Sequence, residues 1–131
     1  MKKPRINFTV IKEDRGYSAG ASVGNNFITT DGNTFEELKA NILEAVNLSF
    51  EDKGFLYDID EIIFTYDLQS FFDFYKVINV KVLSERIGMN QSLLAQYIKG
   101  LKTPSPKQTK RILKGIRQIG KELSEVRLLP K

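Results

Sequence analysis

The hydrophobic pattern of this chain changes period once, near Asp67, and no other feature constrains the fold as much. Up to Tyr66 most apolar residues alternate with polar ones, the mark of strands with one buried face, interrupted by a single stretch at helical spacing. Beyond Asp67 apolar residues recur only at helical spacing. A chain of 131 residues with such a break is one domain of usual size or two very small ones. Charge changes at the same place. Residues 1–67 carry 7 Lys and Arg against 12 Asp and Glu, a net of −5; residues 68–131 carry 13 against 4, a net of +9. Two domains are therefore expected, 1–67 and 68–131, each facing a chemically different partner.

The first segment reads as three strands, a helix and a strand. Ile6, Phe8 and Val10 alternate with Asn7 and Thr9. Glu13-Asp14-Arg15-Gly16 is a polar turn, and Tyr17, Ala19, Ala21 and Val23 form one face of a second strand. Gly24-Asn25-Asn26 leads to a third strand, Phe27–Thr30, and Asp31-Gly32 reads as another turn. Thr34-Phe35-Glu36-Glu37 has the form of a capping box, in which Thr34 accepts from the Glu37 amide and the Glu37 carboxylate reaches back. Leu38, Ile42, Ala45, Val46 and Phe50 continue at helical spacing to a stop at Lys53-Gly54, and Ile62, Phe64 and Tyr66 make a last strand.

The second segment predicts four helices. Phe71 to Ile78 forms the first, Val80 to Ile87 the second, Asn90 to Ile98 the third, and Ser105-Pro106 opens the fourth, with Pro at its first position. Ile112, Leu113, Ile116, Ile119 and Leu123 are its expected buried stripe, and the tail from Val126 to Lys131 is expected to fray. Gly88 is placed to end the second helix in the left-handed conformation, and Asn90 to cap the next. Two short helices about so tight a turn have the form of a helix-turn-helix. Gln91, Ser92 and Gln96 then fall on the outward N-terminal surface of the second of them. Gln makes paired hydrogen bonds to adenine in the major groove, and Ser pairs with several base edges. Lys99, Lys102 and Thr103 follow where a helix end meets a phosphate backbone. Lys107, Lys110, Arg111, Lys114 and Arg117 extend the positive surface.

Composition narrows the chemistry. The chain has no His and no Cys, which excludes a Ser-His-Asp triad, a Cys-His pair, a disulfide and a Cys/His zinc site. Asp58, Asp60, Glu61 and Asp67 cluster near the last strand, but the first strand, with Asn7 and Thr9 at its centre, offers no carboxylate to converge with them. No enzyme activity, metal or cofactor is expected. The basic start of the chain is not followed by an apolar signal core, and no run approaches the length of a membrane span, so a cytoplasmic protein with no membrane partner is expected.

Two resemblances give these features a function. Ile87-Gly88-Met89-Asn90-Gln91-Ser92 and Gly100-Leu101-Lys102-Thr103-Pro104-Ser105-Pro106 resemble the Cro/repressor-like (XRE) helix-turn-helix class. Ahead of it, Ile11-Lys12-Glu13-Asp14-Arg15-Gly16-Tyr17, Ser18-Ala19-Gly20-Ala21 and Thr30-Asp31-Gly32-Asn33-Thr34-Phe35-Glu36-Glu37-Leu38 resemble the HicB antitoxin family. The HicB resemblance implies an α+β chain: a truncated ribonuclease-H-like β-β-β-α-β domain, followed here by an all-α helix-turn-helix domain. It also implies a basic, RNA-cleaving partner, the HicA-type toxin, which an acidic domain would attract. Glu13, Asp14 and Asp31 at the turns and Tyr17 as an aromatic anchor are the expected toxin contacts. The expected function is an antitoxin that neutralises the toxin and represses its own operon. As a homodimer or higher homo-oligomer it would bind double-stranded operator DNA, with half-sites about 34 Å apart. The alternative is a stand-alone helix-turn-helix regulator whose first domain senses a ligand or a protein.

Overall fold

The computed structural model describes residues 2–130; Met1 and Lys131, the ends of the two expected segments, lie outside the described residues. Among the described residues the chain is α+β, with a four-stranded mixed sheet and five α-helices. It forms two compact units that divide after Phe74.

In the first unit β1 (Ile6–Lys12), β2 (Tyr17–Val23) and β3 (Asn26–Gly32) form an antiparallel meander. Helix α1 (Phe35–Ser49) follows, and β4 (Ile62–Tyr66) returns parallel to β1, giving the order β3-β2-β1-β4. The period-2 pattern explains the arrangement. Ile6, Phe8 and Val10 of β1 are fully buried, as are Leu38, Ile42 and Val46 of α1, so the helix lies on one face of the sheet. At roughly 25 cal/mol per Å² of apolar area, each of these side chains stabilises the fold by about 1.5–3 kcal/mol. The opposite sheet face bears Asn7, Thr9, Ser22 and Thr29, with Phe27 lying across Gly20.

Two local readings change. Asp31-Gly32 is not a turn but the end of β3, with Tyr17 facing Gly32. A Cβ at Gly32 would lie 2.6 Å from the Leu38 amide, so glycine is required there for α1 to close on the sheet. Gly16 faces it at φ +69°, where a Cβ would meet the Gly32 carbonyl oxygen at 2.3 Å. The capping box is half formed. Thr34 Oγ1 accepts from the Glu37 amide at 3.1 Å, whereas the reciprocal box occurs at Asp58 and Glu61 instead.

The expected boundary at Asp67 falls one helix early. Helix α2 (Leu68–Phe74) packs on β1 and β4 within the first unit. Asp67 caps it by accepting from the Ser70 amide at 2.8 Å, while its own amide donates to the Val10 carbonyl at 3.1 Å. Phe74 stacks on Phe35 with ring centroids 3.9 Å apart and lies 4.3 Å from the Tyr17 ring. Helix α2 ends there rather than at Ile78. Moving Asp73 to the first unit makes the net charges −6 (7 basic, 13 acidic) and +10 (13 basic, 3 acidic).

The second unit contains α3 (Val80–Ile87), α4 (Gln91–Ile98) and α5 (Pro106–Ser124). Its core is small: Leu83, Met89, Leu94 and Ile112 are the buried apolar residues. Each helix has a side-chain cap, Asn79 for α3, Asn90 for α4 and Ser105 for α5. Short helices need such help, because the first N–H groups have no partner within the helix. The stripe expected on α5 is mostly not buried. Ile112 is, Ile116 and Ile119 are half-buried, and Leu113 and Leu123 are exposed. The reason is length: at 1.5 Å per residue, 19 residues outrun partner helices of 8.

Candidate functional site

The second unit carries the first candidate surface. Gly88, at φ +67°, ends α3 in the left-handed conformation, and the chain turns through Met89 into the Asn90 cap. Met89 is buried and pins this turn, while the Asn90 side chain accepts from the Leu93 amide at 3.2 Å. The turn leaves Gln91 and Ser92 exposed on the first turn of α4. Lys99 at its C-cap, then Lys102 and Thr103, are exposed beyond its end. Asn90, Gln91, Ser92, Lys99, Lys102 and Thr103 thus share the surface of one helix and its flanks. Gln96 does not join them in the way expected. It is half-buried, and its Oε1 is enclosed without a hydrogen-bond partner.

A residue with a different task here is Arg111. Its Nε donates to the Ile87 carbonyl at 2.9 Å and its Nη2 to the Gly88 carbonyl at 2.6 Å. It neutralises the carbonyl end of α3 and locks the turn, instead of adding to an open phosphate-binding face. Nothing local in the sequence gives this away, since the partners are 23 and 24 residues apart. Arg86 similarly ties α3 to α5 through Glu122 at 2.6 Å, and that bond holds the Glu122 carboxyl below the usual carboxylate range.

The first unit carries the second candidate surface. Glu13, Tyr17, Asp31 and Glu37 line an open cleft of about 360 Å³, together with Arg15 and Asn33. The β1–β2 turn and the end of β3 lie side by side because β2 pairs with both strands, which brings Glu13 and Asp31 together across Ser18. Ser18 Oγ donates to Glu13 at 2.7 Å. Asp14 is exposed on the same turn but does not line the cleft. Arg15, Asn33 and Glu37 join the site only through the fold.

Tyr17 corrects an expectation. It is 7% exposed, so only its edge reaches the cleft, and it is not available as a surface anchor. Its hydroxyl donates to Asp73, the Lys12 ammonium lies 4.6 Å from its ring centre, and Lys12 approaches Asp73 at 3.8 Å. Burial, and then the Asp73 carboxylate, push the phenol well above its ordinary value of 10.0. This cluster fastens α2 to the sheet.

Among the described residues no group of three or more His, Cys, Asp or Glu is placed to hold a metal ion, and no helix is long and apolar enough to cross a membrane. Comparison with protein-family models, curated proteins and solved structures finds no match for this chain.

Proposed function

We propose that this chain is a two-module antitoxin and repressor. Its helical unit reads double-stranded operator DNA as a helix-turn-helix. Its acidic unit covers a basic RNA-cleaving toxin of the HicA type, and no reaction is catalysed by the chain itself. One observation carries the reading: Gln91 and Ser92 stand exposed on the first turn of a capped helix, in a unit of net charge +10. Gln91 and Ser92 supply the hydrogen bonds to base edges, and Lys99, Lys102 and Thr103 hold the phosphate backbone. The Asn90 cap fixes the angle at which α4 presents them.

Support for the antitoxin half comes from charge and topology. A unit of net −6 with a carboxylate-lined cleft suits a basic protein surface, and opposite charge both speeds encounter and penalises wrong partners. Glu13, Asp14 and Asp31 are the proposed contacts. The order β3-β2-β1-β4, with α1 across one face, is compatible with the truncated ribonuclease-H-like fold that the HicB resemblance implies. A homodimer would present two copies of α4 about one DNA turn apart.

The test is a titration of the full chain with duplex DNA from upstream of its own gene and with an unrelated duplex. Specific binding is expected to exceed non-specific binding by at least about 10³-fold at physiological salt. Gln91→Ala should cost about 1–3 kcal/mol on the upstream duplex with little change on the unrelated one. Equal affinity for the two duplexes overturns the repressor reading. The antitoxin half is tested with the product of a short, basic neighbouring reading frame. A stable complex with residues 1–74 is expected, and failure to bind it at low salt overturns that half.

A further inference from the structure

The helical unit leaves an apolar groove open between the start of α3 and the last turns of α5. Val77, Ile78, Val82, Leu83, Ile119 and Leu123 line it, around a space of about 290 Å³. Val77 is 88% exposed, Leu123 65% and Val82 49%. At its margin Arg86 and Glu122 neutralise each other. Past Ser124 the chain leaves the helix and carries Val126, Leu128 and Leu129, which are 55%, 87% and 94% exposed. Three apolar side chains within four residues are poorly suited to a solvated tail. One chain therefore contains both halves of an apolar contact and makes neither within itself.

We infer that the groove receives the segment Val126–Leu129 of a second copy of this chain, and that the two copies exchange these segments about a two-fold axis. The chain's own segment is badly placed to fill it. Leu123 already lines the groove, and the next residues continue onward: the Glu125 amide donates to the Glu122 carbonyl and the Val126 amide to the Leu123 carbonyl. To lie on its own Val77 and Val82, the segment would have to break these bonds and reverse at once. In a second copy the same segment needs no reversal, and a reciprocal exchange closes at two copies.

A buried Val or Leu removes on the order of 60–120 Å² of apolar surface from water. Weighted by their exposures, the six side chains of groove and segment bring about 400 Å² per copy and about 800 Å² for the pair, to which the half-buried Ile78 and Ile119 add. That is the low end of the range for specific interfaces. The inference deepens the dimer of the proposed function by assigning its surface.

The chain contains no Cys, so an introduced thiol is unique and cross-linking reports position directly. Full-length V82C and L128C chains are mixed and oxidised. A cross-linked species of twice 15.0 kDa is expected in the mixture and not in either variant alone. Sedimentation of the unmodified chain should give a dimer, and removal of residues 125–131 should weaken dimerisation by at least 100-fold with the thermal transition retained. A 15.0 kDa species at tens of micromolar, a dimer that survives the truncation, or cross-linking only within a chain carrying both thiols each overturns the inference. DNA binding is read separately. A monomer that still prefers its upstream duplex overturns the groove assignment and leaves the repressor reading standing; a segment-exchanged dimer that ignores DNA does the reverse.

Discussion

Tyr17 shows how much a single residue can be redirected by its neighbours. Its phenol is buried and bonded to Asp73, so its folded-state pKa lies above its ordinary value of 10.0. For a group raised in this way the stabilisation is fully present below the unfolded pKa and is lost as pH rises through the folded one. Unfolding free energy should therefore fall above pH 10, by up to about 1.4 kcal/mol per pH unit from this group. Tyr17→Phe should remove most of that alkaline loss and cost about 1.5–3 kcal/mol at neutral pH, the worth of a hydrogen bond to a charged group. Denaturant titrations from pH 7 to 11 read both effects. Two glycines of α5 provide an opposed pair. A Cβ at Gly115 would lie 2.4 Å from Ile87 Cγ2, on a stiff β-branched side chain, whereas one at Gly120 meets nothing within 4 Å. Alanine gains about 1 kcal/mol over glycine in a helix interior, and overpacking costs about 1–3 kcal/mol. Gly120→Ala should raise Tm and Gly115→Ala should lower it.

At the scale of elements, the turn between α3 and α4 is held from outside itself. Arg111 reaches the Ile87 and Gly88 carbonyls from α5. Arg111→Ala should destabilise the helical unit by about 1 kcal/mol, since both bonds are near solvent. It should leave the salt dependence of DNA binding unchanged, because this guanidinium is already engaged. Lys99→Ala, by contrast, should reduce the slope of log K against log salt by about 0.9, with little effect on stability. Paired thermal melts and salt titrations separate the two roles. Helix α2 makes a similar point for the sheet. It follows a strand and shares the helical spacing of the segments after it, yet its rings complete the aromatic cluster over α1 and β2.

For the whole molecule, that packing places the division after Phe74. A fragment of residues 1–74 should fold cooperatively. One of residues 1–67 lacks Ser70, Phe72, Asp73 and Phe74, exposes the surface they cover, and should be aggregated or molten. Circular dichroism, read in the far ultraviolet and in the near ultraviolet where Tyr17, Tyr57 and Tyr66 report fixed packing, distinguishes these outcomes. The corrected division also sharpens the charge contrast, since Asp73 belongs with the acidic unit. A modest +4 overall is the sum of −6 and +10, so the mean charge describes neither surface.

Local chemistry was readable in the residues. Strands announced themselves by alternation, the helix starts by Thr34, Asn90 and Ser105, and the end of α3 by Gly88, because each depends on neighbours within about four positions. Exposure of Asn90, Gln91, Ser92, Lys99, Lys102 and Thr103 followed from the same spacing. What no local pattern could determine was which surfaces meet. The Asp31-Gly32 pair reads as a turn until α1 closes on Gly32. Tyr17 reads as an anchor until Asp73, 56 residues away, takes its hydroxyl. Gln96 reads as a base contact until packing encloses its carbonyl, and Leu123 as core until its helix outruns its partners. Sequence alone determined the elements and their charges, because hydrogen-bonding ends and apolar periods are short-range properties. Tertiary structure decided which polar groups stay free to bind, because burial is set by residues far away along the chain.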